Sequence, residues 1–146
     1  MLVTPPLSQA QLAAMALLLT GPGVPVRALW RITGADMNST ADQAMTKIGT
    51  FSTFLLHGLR GQLANASTSL TTAVGGIYTA AAKAGTAVVA ASQTYAAANG
   101  ANTGCIITVA PAGGIVLSAT ELYLSLTVAQ GSAATADIYL WGVPLS

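Results

Sequence analysis

Leu122-Tyr-Leu-Ser-Leu-Thr-Val128 and Ala136-Asp-Ile-Tyr-Leu-Trp-Gly-Val143 alternate apolar and polar side chains with a period of two, the signature of half-buried strands rather than helices. The small, polar connection Gln130-Gly-Ser-Ala-Ala-Thr135 separates them. Taken alone, the pair predicts an antiparallel hairpin. The same period runs backwards through the chain. Val26, Ala28, Trp30 and Ile32 alternate with Arg27, Leu29, Arg31 and Thr33, which predicts a strand with Trp30 and Ile32 inward and both arginines outward. A polar turn is expected from Gly34 to Thr40, followed by a weaker strand over 43–48.

Further strands are expected over 54–64, 73–79, 86–90, 105–109 and 115–117, with the second and third of these forming a hairpin about Lys83-Ala-Gly85. Residues 93–104, rich in Ala, Asn and Gly, read as a loop, and Pro111-Ala-Gly-Gly114 as a turn. Seven to nine short strands with regularly spaced turns and no βαβ alternation predict a mainly β fold, a single antiparallel β-sandwich of jelly-roll or Greek-key type. No repeat of 20–50 residues is evident, which argues against solenoids and propellers.

The beginning of the chain is different. Ser8-Gln-Ala-Gln11 has capping-box spacing, and Leu12, Met15, Leu18 and Leu19 recur at helical intervals. A short helix over 9–19 is therefore expected, stopped by Gly21-Pro-Gly23. The resulting division is an N-terminal helical arm over 1–23 and a sandwich domain over 24–146. Docking of the arm on a neighbour and packing of it on its own sheet both remain open.

Composition narrows the function. The 146 residues are 53% hydrophobic, and 6% are charged against about 25% in ordinary soluble domains. A monomer of this mass exposes roughly 7,000 Å², more than nine charged side chains can cover. Little net charge also leaves little mutual repulsion between copies. Burial in an oligomer accounts for both facts, and the alternative is a monomer with an Ala/Ser/Thr coat. No apolar run reaches the 17–25 residues of a membrane span, and Met1-Leu-Val-Thr-Pro-Pro6 lacks the basic start of a secretory signal. The expectation is a protein retained in the cytoplasm where it is made, with no membrane partner.

Chemistry is scarce. Four carboxylates, one histidine and one cysteine are a thin supply for acid–base or metal chemistry. His57, in an apolar run, reads as a packed or interface residue, and Cys105 beside Ile106 and Ile107 as a buried thiol without a cation to activate it. Asp36 and Asp42 lack the ligand spacing of a calcium loop and read as turn caps. The glycine pairs, including Gly75-Gly76, lack the lysine and the strand-to-helix context of phosphate loops; they read as turns and strand irregularities. Arg27, Arg31 and Arg60 are too few for strong nucleic-acid binding, and pairing with acids across an interface is their expected role. Asn38-Ser-Thr40 and Asn65-Ala-Ser67 match the glycosylation triplet, which has no meaning without secretion. The six Trp and Tyr residues lie mostly in strands, so core packing is expected for most of them. No cofactor is expected.

The stretches Gly75-Gly-Ile-Tyr-Thr-Ala-Ala-Ala-Lys-Ala-Gly-Thr-Ala-Val-Val-Ala-Ala-Ser-Gln93 and Leu122-Tyr-Leu-Ser-Leu-Thr127 with Ala136-Asp-Ile-Tyr-Leu-Trp-Gly142 resemble small virion proteins of tailed bacteriophages. The likeness covers about 38–145 and carries no catalytic signature. It implies a cement or decoration protein of the capsid, commonly a trimer of β-sandwich subunits, with the major capsid protein as partner. A tail, spike or fibre-base component is the second reading; a carbohydrate-binding module and a glycosidase follow at a distance. The residues expected to dock are Leu12, Met15 and Leu19 on the helix, Arg27, Trp30 and Arg31 on the first strand, and His57 and Arg60.

Overall fold

A computed structural model of the chain describes residues 8, 9, 26–109 and 116–145, with only the backbone of 57–60. Every element in it is a strand: β1 Arg27–Asp36, β2 Gln43–Ala44, β3 Thr46–Lys47, β4 Thr53–Ala66, β5 Val74–Tyr78, β6 Ala87–Val89, β7 Thr103–Ile107, β8 Val116–Ser118, β9 Tyr123–Val128 and β10 Thr135–Pro144. The helix expected over 9–19 falls, apart from Gln9, outside the described residues, as do the turns at Gly21-Pro-Gly23 and Pro111-Ala-Gly-Gly114. The chain is mainly β, and its ladders are antiparallel.

Two sheets form, one in the order β3-β1-β10-β4-β7 with β8 also on β4, the other in the order β2-β9-β5-β6. The hairpin expected between β9 and β10 is therefore not made. β9 pairs with β2 and β5, whereas β10 pairs with β1 and β4. A two-residue connection would have forced the hairpin. Here the longer link is held elsewhere: Gln130 N–H donates to the Met37 carbonyl at 2.9 Å, and the Gln130 carboxamide oxygen accepts from the Thr72 and Ala73 amides at 3.2 and 3.3 Å. These bonds carry the chain from one sheet to the other.

The pairs β1·β10, β2·β9, β4·β7 and β5·β6 nest inside one another in sequence, as the rungs of one long two-stranded ribbon. Its hydrogen bonds continue around all three bends. Met37 N–H donates to the Ala134 carbonyl at 2.8 Å at the first, Met45 N–H to Leu122 and Ala119 N–H to Ser52 at 2.8 and 3.2 Å at the second, and Leu70 N–H to Ala98 and Tyr95 N–H to Ala73 at 2.9 and 3.2 Å at the third. The Gln43 carboxamide stiffens the first bend by bonding both the amide and the carbonyl of Asp36 at 2.7 and 2.8 Å. Wrapping of the ribbon then sets β10 against β4 and β9 against β5.

Departures from simple alternation have local causes. A bulge between Ala28 and Trp30 turns Leu29 inward beside Trp30, so both are buried although the sequence period puts them on opposite faces. β1 does not stop at Gly34; that residue takes a positive φ of 64° inside a second bulge, its amide donates to Asp137 Oδ1 at 2.8 Å, and the strand resumes to Asp36. The single strand expected over 43–48 is two, because the chain changes sheets at buried Met45. Gly75-Gly76 lies within β5 at a bulge, where the Tyr95 hydroxyl donates to the Gly75 carbonyl at 3.0 Å.

Residues from both sheets share one apolar core, including Leu29, Trp30, Phe54, Leu63 and Ile138 from one and Ile77, Val89, Leu124 and Leu126 from the other. Trp30, Phe51 and Phe54 pack edge-on and tilted with centroids 5.4–5.9 Å apart, the geometry favoured by aromatic quadrupoles.

Candidate interface

The docking residues expected from the sequence do not converge. Arg27 and Arg31 are exposed on β1, as expected. Trp30 is not a docking residue of the folded chain, because it is 1% exposed within the aromatic cluster, with the Lys47 ammonium 6.0 Å from its ring centroid. The bulge beside it explains the difference. Leu12, Met15 and Leu19 lie outside the described residues, as do the side chains of His57 and Arg60. Asp36 and Asp42 do cap turns: Asp36 accepts from the Asn38 amide at 2.9 Å and Asp42 from the Ala82 amide at 2.6 Å.

What the fold brings together is a flank without charge. Residues 84–120 contain no Asp, Glu, Lys, Arg or His. They supply β6, the edge of one sheet, and β7 and β8, the edge of the other. The Gln93 carboxamide ties the two edges together by accepting from the Thr108 amide at 3.0 Å, while its own carbonyl accepts from the Gly75 amide at 3.0 Å. At the middle of this flank Ile106 is 73% exposed. The nine charged residues lie elsewhere in the sequence, and one cluster of them, Arg27, Arg31, Asp36 and Lys47, occupies β1 and β3 at the opposite edge of the larger sheet.

The outer face of the larger sheet runs from this flank to the charged one. Thr46, Arg31, Tyr139, Gln62 and Ile106 are direct neighbours across five strands, so their side chains share one face. Trp141, paired with Ala28 one step further along, is half-buried on that same face. Tyr and Trp are enriched at interface centres, where Lys, Glu and Asp are depleted. Of the six Trp and Tyr residues, Trp30, Tyr78 and Tyr95 are buried, and Tyr123, Tyr139 and Trp141 are half-buried. Strand placement therefore did not by itself assign them to the core.

The titratable groups behave as structural groups. Burial raises the Cys105 thiol above its ordinary value, which disfavours the reactive thiolate. Burial likewise keeps the Tyr95 hydroxyl protonated well above the usual tyrosine range. Asp42 is lowered, chiefly by the Ala82 N–H. Among the described residues, no three His, Cys, Asp or Glu side chains are placed to hold a metal ion together. Tyr139, Gln62 and Ile106, which the sequence reading missed, become visible only with the strand register. Comparison with protein-family models, with curated proteins and with solved structures finds no match in any of the three.

Proposed function

We propose that this chain is a non-enzymatic structural protein of a virion, a cement or decoration subunit that associates with copies of itself, as a trimer, and with the major capsid protein. Its fold on this reading is a jelly-roll sandwich. The nested ribbon supports that assignment, since eight strands wound as two Greek keys give the sheets β1-β10-β4-β7 and β2-β9-β5-β6, with β3 and β8 as additions. Jelly rolls are common in viral capsids but also in lectins, so the fold alone does not decide function. The observation that carries the proposal is the charge-free flank formed by β6, β7 and β8. Such a surface is poorly defended in solution and loses little when covered, because no ionised group has to leave water.

Sedimentation equilibrium of the purified chain tests the self-association, with a trimer or a multiple of it expected. A stable monomer at high concentration overturns it. The location is tested by counting copies in purified particles by quantitative mass spectrometry. Copies in fixed proportion to the major capsid protein support cement, and a handful per particle makes the chain a tail or spike component.

A further inference from the structure

Sheet edges are normally shortened or charged so that they do not recruit another strand. In this chain β2, β3, β6 and β8 follow the first rule, with two or three residues each. β7 follows neither. It is five residues long, Thr103-Gly-Cys-Ile-Ile107, without charge or proline, and among the described residues it pairs on one side only, with β4. The backbone groups of β7 that face away from β4 have, among the described residues, no strand partner. We infer that β7 is a docking edge for the β7 of a second copy, paired antiparallel about a two-fold axis at Cys105.

The occupant follows from the strand's own sequence. Antiparallel pairing centred on Cys105 sets Ile106 of each copy, on the outer face of the sheet, opposite Gly104 of the other, where a Cβ would run into the Leu63 carbonyl of β4. Ile106 is a large apolar side chain left 73% exposed, and Gly104 is also exposed and has no side chain to obstruct it. Projection meets space twice, once in each direction, as an isologous contact requires. Charge points the same way. A charged strand laid on this flank would lose water without gaining a counter-ion, whereas the flank of another copy is as neutral as this one. The contact would extend the row Arg31, Tyr139, Gln62 and Ile106 into one continuous sheet across two chains. Trimers made through another face would be linked to one another by it. The inference thus rests on the self-association proposed above and adds to it a second, two-fold contact that joins its trimers to one another.

Cys105 is the sole cysteine and reports the register. Directly opposed residues of an antiparallel pair lie about 4.5–5.5 Å apart at Cα, within the roughly 4.4–6.8 Å that a disulfide spans. Treatment of the full-length protein with diamide, which takes up the two electrons and two protons released by the thiols, is expected to convert most of the chain into a covalent dimer on a non-reducing gel. Ile106→Lys is expected to abolish that band and to lower the mass in sedimentation, while Ile106→Val retains both. Because Ile106 is exposed, the lysine variant keeps its fold, and circular dichroism checks this. An Ile106→Lys protein that still associates as the parent does overturns the edge pairing and leaves self-association intact. Loss of association without any Cys105 crosslink in the parent overturns the two-fold register. A parent protein that is monomeric throughout overturns this inference together with the proposed function.

Discussion

The two flanks of the larger sheet are filled alike and finished differently. Beneath β1 lie Leu29 and Trp30, and beneath β7 lies Ile107, with Val88 and Val89 under the neighbouring β6; all are essentially without exposure. On the outside, the β1 flank ends in the two-residue β3 and carries Arg27, Arg31, Asp36 and Lys47, whereas the β7 flank ends in a five-residue strand with no charge. Core quality is therefore no guide to which edge is prepared for water. Charge and edge length distinguish the side that keeps other chains away from the side that does not.

The strongest way to break this comparison is to show that the filling also differs. Trp30→Ala should cost about 3–5 kcal/mol and Ile107→Ala about 2–5 kcal/mol, read from denaturant midpoints at unchanged slope. An Ile107→Ala loss far below that range would mean that the uncharged flank is loosely packed as well. Tyr95→Phe removes the hydroxyl bonded to the Gly75 carbonyl and should cost about 1 kcal/mol. Its pH profile sharpens the point. Tyr95 titrates near 10 when unfolded and higher when folded, so its stabilisation is complete below pH 10 and falls as pH rises above it. Tyr95→Phe should flatten that alkaline decline in melting temperature.

On the outside, Arg31→Ser and Ile106→Lys should each change the stability of the dilute monomer by less than about 0.5 kcal/mol. If the flanks differ as described, the two variants then part company in association, with the lysine acting and the serine silent. The smallest expected effect is at Asp42. Its carboxyl is lowered below 3.8 in the fold, chiefly by the Ala82 amide, so its contribution is present above pH 3.8 and lost as pH falls through the lowered value. Asp42→Asn should reduce the acid dependence of the melting curve, by an amount that exposure keeps small.

Period-two alternation was enough to find most strands, because each sheet has one face in the common core. β4, β5, β9 and β10 and the β5·β6 hairpin lie within a few residues of where the sequence puts them. Pairing was not legible in the same way. β9 and β10 look like partners because they are adjacent and similar, yet each is held by a strand far away in sequence. Bulges were equally hidden: nothing in Leu29-Trp30 announces that both side chains turn inward. The candidate interface was half visible. Every residue of 84–120 could be seen to lack charge, but only the topology brings β6, β7 and β8 to one flank.

The nested ribbon also sets a schedule for folding. Its tip closes between Tyr78 and Ala87, a short loop with a small entropic cost, while its outermost rung joins Arg27 to Gly142 and has to wait for everything between. Folding dominated by such distant pairings is expected in milliseconds to seconds rather than microseconds. β10 is the central strand of the larger sheet, flanked by β1 and β4. Until residues 135–144 have left the ribosome, β1 has no long partner, and the sheet lacks its middle. The larger sheet is thus obliged to wait for the last of its strands to emerge, with β1 unpaired along most of its length until then.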